Sequence, residues 1–289
     1  MKAIIMAAGK STRTYPLTVT RPKPLLRAGA KSILGHQLDY LEGIADTVVV
    51  VVGYRKEMIQ DAFGESYNGI RIEYVEQKEQ LGTGHAILQC ASLIDGPFLA
   101  MNGDDLYDPR DLRRLAESEQ AALAKSVADP TLYGIYDVDE AGRAIRLVEK
   151  PKEVFSTLAN VGAYKFTPTV FEVLEATGRS ERGEIEITSA IQTLADRGDF
   201  RVLEMQGFWL PIGYPWSLLD VNKHVLDTRL EVVNNGEIAS GVNISGPVHI
   251  GRGTRVLPGV VIDGPVYIGE DCTIGPNCWI RPYTTLGNG

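Results

Sequence analysis

The stretch that places the chain among α/β proteins is KAIIMAAGKSTRTYP, residues 2–16. Residues 3–6 form a short apolar run of the kind that makes a buried strand, and small and polar residues follow it directly. Ligands of open α/β sheets bind at the carboxyl ends of the strands. Ala7, Ala8 and Gly9 are small, so backbone N–H groups in this segment can approach a phosphate closely.

Cations are concentrated at the start of an otherwise acidic chain. The formal net charge of −8 argues against nucleic-acid binding, which needs a basic face. Seven cations precede the first acid, Asp39: Lys2, Lys10, Arg13, Arg21, Lys23, Arg27 and Lys31. Such a segment predicts a binding site for a small polyanion, with a solvated basic face as the alternative.

Residues 1 to about 215 alternate between strand and helix patterns. Apolar runs at residues 3–6, 47–52, 70–75 and 98–101 predict buried strands, and residues 34–43, 56–63 and 84–93 predict helices between them. A hairpin is predicted at residues 134–138 and 144–148, and a connecting helix at 218–230. The alternation predicts an α/β fold with a Rossmann-like, mostly parallel sheet and helices on both faces.

From Ile238 onward the period of the sequence changes to six. Aliphatic residues occupy every sixth position: Ile238, Ile244, Ile250, Val256, Ile262, Ile268, Ile274, Ile280 and Leu286. This pattern is typical of a hexapeptide β-helix, in which three hexads form one triangular coil. Because the repeat stops in mid-hexad at Gly289 without a polar cap, we expect the natural chain to be longer.

Cysteine usage and hydropathy exclude several classes of protein. Cys90, Cys272 and Cys278 are too few and too scattered for a disulfide framework or a zinc site. The last two fall on small-residue positions of the hexads, where they are predicted to fill the core. The apolar run at residues 3–8 is too short for a signal peptide or a membrane span, so we expect a cytoplasmic protein that needs no membrane.

Two common nucleotide-binding motifs are absent from the sequence. A Walker A loop through Gly9 would need glycine where the chain has Ile4. A dinucleotide fingerprint that begins at Gly82 would need glycine or alanine where the chain has Ile87. A nucleotide must therefore be held in another way.

The first loop resembles the signature of the sugar-1-phosphate nucleotidyltransferase family. That signature is A-A-G-x-G-T-R followed by P-K-P-L, and the chain has corresponding segments at residues 7–13 and 22–25. Ser11 stands where the family usually has glycine, which slightly restricts the loop. The resemblance spans the whole chain. It is closest to enzymes that act on glucose 1-phosphate or N-acetylglucosamine 1-phosphate and carry a left-handed β-helix tail.

The resemblance implies how the triphosphate is bound. Arg13 and Lys23 would be catalytic, because their charges can neutralise negative charge that develops on the leaving pyrophosphate. The phosphates and the pyrimidine nucleoside would be bound by Ala7, Ala8, Gly9, Gln77, Gly82 and Thr83. Gly82 and Thr83 have an alternative role as the cap of the next helix, since threonine is a good N-cap residue. His85, in the same segment, is predicted to be structural.

The resemblance implies eight contacts with the sugar 1-phosphate: Tyr133, Gly134, Glu149, Lys150, Asn160, Gly162, Arg182 and Glu184. Residues 149–151, E-K-P, are similar to a motif whose glutamate contacts sugar hydroxyls and whose lysine holds the sugar phosphate. Residues 182–188 resemble R-G-E-x-E-I-T, whose arginine reaches the sugar phosphate and whose first glutamate lines the sugar pocket.

The resemblance also implies a magnesium site. Asp104 lies in a segment similar to the G-D metal motif of the family, and Mg²⁺ prefers carboxylate and phosphate oxygens. A Gly-Asp-Asp turn without a metal is the alternative. In the family a second Asp or Asn ligand follows an aromatic position by two residues, and Pro211 occupies that place. Asp104 could then hold Mg²⁺ with phosphate oxygens and water, Asp105 or Asp220 could replace the missing ligand, or activity could be low.

These motifs predict the domain organisation and one reaction. We expect a nucleotidyltransferase domain at residues 1–217, a connecting helix and linker at 218–236, and a left-handed β-helix at 237–289. The implied reaction joins dTTP or UTP to glucose 1-phosphate or N-acetylglucosamine 1-phosphate and releases pyrophosphate, with Mg²⁺ as the cofactor. The tail would mediate assembly of a homo-oligomer, for example a trimer.

Three other functions stay open at this point. Pro211 favours a non-catalytic paralogue that binds a nucleotide sugar and regulates a partner, whereas Arg13, Lys23, Asp104 and Lys150 argue for catalysis. A mannose-1-phosphate guanylyltransferase is the second alternative. The third is a bifunctional enzyme whose tail is an acetyltransferase, for which His249 is the one histidine on the β-helix.

Overall fold

The computed structural model describes residues 1–180 and 183–289, and it divides the chain into two compact units. The first unit comprises Met1–Leu25 and Ile33–Pro211, and the second comprises Leu26–Ser32 and Ile212–Gly289. Arg182, which the family resemblance assigns to the sugar site, lies outside the described residues. The helices of the described residues are all too short or too polar to cross a membrane.

The strands up to Pro211 are short and follow the apolar runs of the sequence. They are β1 (Lys2–Met6), β2 (Arg27–Ala28), β3 (Lys31–Ser32), β4 (Thr47–Val52), β5 (Ser66–Tyr67), β6 (Ile70–Glu76), β7 (Phe98–Asn102), β8 (Asp105–Tyr107), β9 (Ala121–Ser126), β10 (Gly134–Val138), β11 (Ala144–Glu149), β12 (Leu158–Phe166), β13 (Arg201–Glu204) and β14 (Trp209–Pro211).

The helices lie in stretches between the strands, as the alternating pattern of the sequence predicts. They are α1 (Ile33–Tyr40), α2 (Lys56–Phe63), α3 (Thr83–Leu88), α4 (Pro109–Glu117), α5 (Thr169–Ala176), α6 (Ile187–Asp196) and α7 (Ser217–Arg229). Short 3₁₀ turns occur at Thr12–Thr14, Lys23–Leu25, Ala91–Leu93 and Pro130–Leu132. The helix predicted over residues 84–93 is therefore shorter than expected, because its second half tightens into a 3₁₀ turn.

The first unit is built on a mixed sheet with a parallel centre. The strand order is β11-β10-β12-β7-β1-β4-β6-β5, and β9 joins β12 and β13 beside this path. β1 pairs in parallel with both β4 and β7, whereas β12 runs antiparallel to β7. The prediction of an α/β fold with a mostly parallel sheet is confirmed, with an antiparallel portion around β12.

The parallel centre brings three loops to one edge of the sheet. Met6, at the end of β1, is in register with Val51 of β4 and with Asn102 of β7. Gly103 N donates a hydrogen bond of 3.0 Å to Met6 O. A Cβ at Gly103 would lie 2.6 Å from that same oxygen, so only glycine permits this approach. The loop after β1 and the loop after β7 are thus held together.

The tail consists of stacked parallel strands. They are β15 (Val233–Asn234), β16 (Glu237–Ile238), β17 (Asn243–Ser245), β18 (Val248–Ile250), β19 (Arg255–Val256), β20 (Val261–Asp263), β21 (Val266–Ile268), β22 (Thr273–Ile274), β23 (Trp279–Ile280) and β24 (Thr284–Leu286). They form the sheets β15-β18-β21-β24, β16-β19-β22 and β17-β20-β23.

The register of the tail sheets confirms the predicted coil. Arg255 pairs with Thr273 and Asn243 with Val261, a step of 18 residues, which is three hexads. The aliphatic positions of the middle coil are buried, whereas Ile238 and Ile244, with a coil on one side only, are 39% and 37% exposed. Cys272 is buried in this core, and Cys278 packs against it.

Candidate active site

A cavity of about 320 Å³ lies at the carboxyl end of the parallel strands in the first unit. Its walls come from the loop after β1, the turn at Lys23, the segment that leads into α3 and the loop after β7. The cavity brings together nine of the residues that the sequence assigned to the site: Ala7, Ala8, Gly9, Lys23, Gln77, Gly82, Thr83, Asp104 and Glu184. The open α/β sheet thus has its cavity where ligands of such folds bind.

An ion pair crosses the wall of this cavity. Lys23 Nζ donates to Asp104 Oδ2 at 2.7 Å, although 81 residues separate them in the chain. The Lys23 side chain is 3% exposed and that of Asp104 is 42% exposed. A buried ammonium group needs a counter-charge, and Asp104 supplies it while keeping part of its carboxylate towards solvent. The cavity therefore has both a fixed cation and an accessible carboxylate.

Asp105, the next residue, lies in a different environment. It is buried, and its Oδ2 accepts hydrogen bonds of 3.4, 3.4 and 3.3 Å from Asn102 Nδ2, Tyr107 OH and Trp209 Nε1. Burial raises the pKa of Asp105, and the charge of Asp104 raises it further. This environment disfavours the ionised form that a metal ligand requires, so Asp104 is the better placed of the two acids.

Pro211 lies beside the acidic pair. It is in register with Asp105 across the antiparallel pairing of β14 with β8, one residue away from Asp104. Proline is tolerated there because β14 pairs with no other strand of the described residues, so no further hydrogen bond is required of it. Asp220, the other acid considered as a replacement ligand, lies on α7 in the second unit.

The donor set fits a magnesium ion better than a closed metal centre. Within residues 1–180 and 183–289, no three His, Cys, Asp or Glu side chains are grouped to hold a metal. Mg²⁺ is commonly held by one or two carboxylates together with substrate phosphates and water. The half-exposed carboxylate of Asp104, facing a cavity with cationic and backbone donors, suits this kind of coordination.

The segment that leads into α3 is tightly constrained. Gln77 is buried, and its Nε2 lies 3.0 Å from Gly82 O and 3.1 Å from His85 Nδ1. Gly82 has a φ of 98°, and a Cβ there would lie 2.7 Å from Ile185 O, so glycine is required. His85 is held on its other side by Gln89, in keeping with a structural role.

The predicted capping of α3 is confirmed for Gly82 and wrong for Thr83. The N-cap is Gly82, and Thr83 is the first residue of the helix. Glycine precedes the helix because the chain approaches Ile185 so closely that no side chain fits. Thr83 Oγ1 instead accepts a long hydrogen bond, 3.4 Å, from Ile187 N. The Thr83 side chain thereby lines the cavity beside Glu184.

The predicted sugar-binding residues adjoin the cavity, although most of them do not line it. Gly134 pairs with Glu149 across β10 and β11, and a Cβ at Gly134 would lie 3.0 Å from Glu149 Oε2 and 3.7 Å from Asn160 Cβ. Gly162 has a φ of 76°, and a side chain there would collide with Asn102, which lines the cavity. Gly134, Glu149, Asn160 and Gly162 therefore form one group that reaches the cavity through Asn102.

Tyr133 and Lys150 connect to the acidic pair through an aromatic contact. Lys150 N donates to Tyr133 O at 2.9 Å, and Lys150 has a φ of 47°, a value that non-glycine residues rarely adopt. The Tyr133 ring packs edge-to-face on Trp209 at 5.4 Å, and Trp209 in turn contacts Asp105. Backbone strain of this kind is concentrated at functional sites.

Sequence reasoning missed Asn102, Gln80 and Trp209. Asn102 and Gln80 line the cavity, and Gln80 Nε2 donates to Ala8 O at 3.2 Å. Asn102 could have been found, because it is a polar residue at the end of a buried strand. Trp209 could not, because its contact with Asp105 spans 104 residues.

Arg13 lies in the loop after β1 but is not among the residues that line the cavity. It is exposed, in the 3₁₀ turn Thr12–Thr14. Ser11, before the turn, has a φ of 52°. This left-handed conformation is one that glycine adopts more readily than serine. Thr14 and Thr18 hydroxyls both donate to Ser11 O, at 2.7 and 3.0 Å, and fix the turn.

Comparison with known proteins gives consistent results for both units. A family model described as nucleotidyl transferase matches residues 2–228, and a model of bacterial transferase hexapeptide repeats matches residues 247–282. The bifunctional protein GlmU of Methanococcus maripaludis is 39% identical over 288 residues, which are 99% of this chain and 69% of that protein. A bifunctional sugar-1-phosphate nucleotidylyltransferase/acetyltransferase of Sulfurisphaera tokodaii is 36% identical, over 99% of this chain and 71% of its own length.

Solved structures resemble a large part of the molecule. UDP-glucose pyrophosphorylase complexed with UDP-glucose aligns with a TM-score of 0.72 and 28% identity. The alignment covers 79% of this chain and 99% of that one.

Proposed function

Because the chain belongs to the nucleotidyl transferase family, we propose that it joins a pyrimidine nucleoside triphosphate, dTTP or UTP, to a hexose 1-phosphate and releases pyrophosphate. The observation that carries this proposal is the Lys23–Asp104 pair in a cavity at the carboxyl edge of the sheet. The family resemblance and the named activity of the Sulfurisphaera tokodaii relative support a sugar 1-phosphate as the acceptor.

The reaction is a displacement at the α-phosphorus of the triphosphate. An oxygen of the sugar phosphate forms a bond to this phosphorus, and the bond to the bridging oxygen of the pyrophosphate breaks. The attacking phosphate is already largely ionised near neutral pH, since its second pKa is about 6. No general base is therefore required, and positioning and charge stabilisation account for catalysis.

Different residues of the cavity would bind different parts of the triphosphate. The small residues Ala7, Ala8 and Gly9 let the backbone approach the phosphates. Lys23 holds a fixed positive charge beside them, and Arg13 on the adjacent turn would neutralise the leaving pyrophosphate. Gln77, Gly82 and Thr83 would contact the pyrimidine nucleoside.

The acceptor would lie on the side of the cavity where Asn102 approaches Gly162 and the other predicted sugar-binding residues. Glu149 and Asn160 provide hydrogen-bonding groups for hydroxyls, and Lys150 provides a positive charge for the phosphate. Tyr133, Gly134, Gly162 and Glu184 complete this surface. Tyr133 packs on Trp209, which donates to Asp105, so this surface adjoins the acidic pair.

Magnesium is the cation that these residues suit. Asp104 would hold it, with the remaining positions taken by phosphate oxygens and water. When bound, Mg²⁺ would stabilise the negative charge of the reacting phosphates. Lys23, released from some of its attraction to Asp104, would then be free to contact the triphosphate.

A pyrophosphate-release assay tests this function. The purified chain is incubated with Mg²⁺ and each pairing of UTP, dTTP or GTP with glucose 1-phosphate, N-acetylglucosamine 1-phosphate or mannose 1-phosphate. We expect turnover that needs both substrates, with UTP or dTTP preferred. A preference for GTP with mannose 1-phosphate would favour the guanylyltransferase. Binding of a nucleotide sugar without turnover for any pair would favour a regulatory paralogue, the function that Pro211 suggests.

For the tail, we propose a role in assembly. Coils of stacked parallel strands offer flat side faces that copies of the chain can share, and a homotrimer is the assembly we expect. His249, considered for acetyl transfer, stacks on Tyr267 at 4.7 Å and its Nδ1 lies 2.9 Å from Glu231 O. These contacts support a structural role for His249 in the first coils. Light scattering of the purified chain would measure the number of copies.

A further inference from the structure

A second cavity, of about 820 Å³, lies in the first unit at the end of the sheet opposite to the triphosphate cavity. We call it the rear cavity, and its lining includes Pro97, Gln120, Arg143, Lys165, Thr167 and Arg201. Pro97 precedes β7, whereas Asn102 and Asp104, at the other end of β7, belong to the triphosphate cavity. The five residues of β7 span about 16 Å, so the two cavities are separate.

Lys165, on the wall of the rear cavity, is a buried cation without a counter-charge. Its side chain is 3% exposed. Its Nζ donates to Ala116 O at 3.1 Å and lies 3.4 Å from Met1 Sδ, and it makes no ion pair with any residue that the structure describes. Burial lowers its pKa. An ammonium group held in this way is destabilising unless an anion approaches it.

Two arginines extend the positive surface. Arg143 and Arg201 are directly opposite each other in an antiparallel bridge, so their side chains leave the same face. Like charges in this position are unfavourable. Arg143 is paired with Asp139 at 2.7 Å, whereas the Arg201 guanidinium donates only to Ala141 O within the described residues. Arg201 thus keeps donors for a ligand.

The rear cavity also has acceptor groups. Glu119 and Asp199 line it together with the three cations. Their carboxylates would repel a bare anion but accept hydrogen bonds from hydroxyl groups. A ligand that suits both parts carries a phosphate at one end and hydroxyls at the other. The volume lies within the range of about 300–1,000 Å³ that is usual for small-molecule sites.

We propose that the rear cavity binds a small phosphorylated polyhydroxy compound, a sugar phosphate or a nucleotide. Lys165 and Arg201 hold the phosphate, for which lysine is a point charge and arginine a planar fork of donors. Glu119 and Asp199 accept hydrogen bonds from the ligand hydroxyls. Because the two cavities lie at opposite ends of β7, a ligand in the rear cavity binds without displacing the substrates.

Calorimetric titration tests this site. The titrations use the wild-type chain, and the variants below separate binding at the rear cavity from binding at the triphosphate cavity. The probes are inorganic phosphate, glucose 6-phosphate and adenosine 5′-monophosphate. We expect one of the two organic probes to bind with one site per chain, and more tightly than inorganic phosphate. Lys165→Met, which keeps an unbranched side chain of similar size, should weaken this binding at least tenfold.

Arg201→Gln serves as the second variant, because Arg201 is exposed and its loss should not disturb folding. It should weaken binding in the same direction. Arg113→Gln, an exposed arginine on α4 that does not line the rear cavity, is the matched control and should leave the affinity unchanged. Absence of saturable binding for all probes would overturn the proposal, as would equal affinities in all three variants. Phosphate binding as tightly as the organic probes would overturn the assignment of Glu119 and Asp199.

Discussion

Lys23 is almost completely buried, yet its positive charge faces the triphosphate cavity, and Asp104 makes this arrangement possible. The ion pair at 2.7 Å offsets the loss of hydration of the ammonium group. The same carboxylate is 42% exposed and lines the cavity, so it is the natural ligand for a cation. Removing either residue would leave the other charge uncompensated, so these two positions are poor choices for separating folding from function.

Arg13 offers a cleaner test at the scale of single residues, because it is exposed on a surface turn. Arg13→Ala should lower kcat by about 10²–10³, the usual effect of removing one group that stabilises charge in the transition state. Steady-state rates of pyrophosphate release, together with circular dichroism to verify folding, measure this effect. Arg113→Ala should behave as wild type. A variant that kept roughly a third of kcat or more would contradict the role assigned to Arg13.

Pro211 lies in register with Asp105, where a side-chain oxygen would be close to a cation on Asp104. Pro211→Asp should lower the Mg²⁺ concentration for half-maximal activity, because a carboxylate adds a ligand of the kind that Mg²⁺ selects. The experiment is a Mg²⁺ titration at saturating substrates. Pro211→Ala controls for the loosened backbone. Identical Mg²⁺ curves for the three proteins would mean that residue 211 lies out of reach of the metal.

At the scale of secondary structure, α4 shows how a helix is held beside the site. Asp108 is its N-cap and accepts from Arg110 N at 2.9 Å, and Pro109 fits the first helical position, where no N–H is needed. Asp111 accepts from Gly207 N at 2.8 Å and ties the helix to the chain before β14. The position of β14, and with it Trp209 and Pro211, thus depends on acids at the start of α4.

Asp108→Ala should therefore destabilise the protein by about 1 kcal/mol, the usual effect of losing an N-cap side chain. The midpoint of urea unfolding measures the change, and Asp61→Ala, an exposed acid within α2, is the control. The hydrogen bond from Arg110 lowers the pKa of Asp108. The difference between wild type and variant should be complete above about pH 4, the ordinary value for Asp, and should shrink as the pH falls further. A constant difference down to the acid limit would contradict this assignment.

Elements that bury one continuous apolar run could be predicted from the sequence, and elements that depend on distant partners could not. The strand at residues 47–52 and the helix at 56–63 begin and end where expected, because local patterning decides both. The 3₁₀ turn after α3 was missed. The close approach of Gly82 to Ile185 was also missed, since the two residues are distant in the sequence.

The residues of the site divide in the same way, into those that local sequence predicts and those that depend on distant partners. The loop after β1 and the Asp104 motif could be found from local sequence, and both line the cavity. The buried network around Asp105 could not, because Asn102, Tyr107 and Trp209 converge only after β8 and β14 pair.

At the scale of the whole molecule, the two units obtain stability in different ways. The first has a core between its helices and a ten-stranded mixed sheet in the described residues, with many contacts between distant segments. The second repeats one arrangement, in which each coil packs only on its neighbours. For such repeats the stability is approximately a sum of coil and interface terms. The tail should therefore tolerate changes of length that the first unit would not.

Deletion experiments in the tail test this difference. Removal of residues 255–272, one full step of 18, should leave a folded tail with a modestly lower melting temperature. Removal of residues 255–263, half as many, should unfold it, because Ile268 and Ile274 would then fall on turn positions. Circular dichroism and limited proteolysis measure both variants. Equal tolerance of the two deletions would contradict a fold based on the hexad register.

The 18-residue step also makes the length of the tail independent of the direction in which its side faces point. Each coil advances the tail by about 4.8 Å, the spacing between neighbouring strands, and returns the chain to the same side of the triangle. An insertion of one hexad, by contrast, would turn all later side chains by a third of a revolution. The length of the tail can thus change in units of one coil while the direction in which its surfaces point stays constant. A partner copy that binds one side of the tail would therefore meet the same side again, one coil further along.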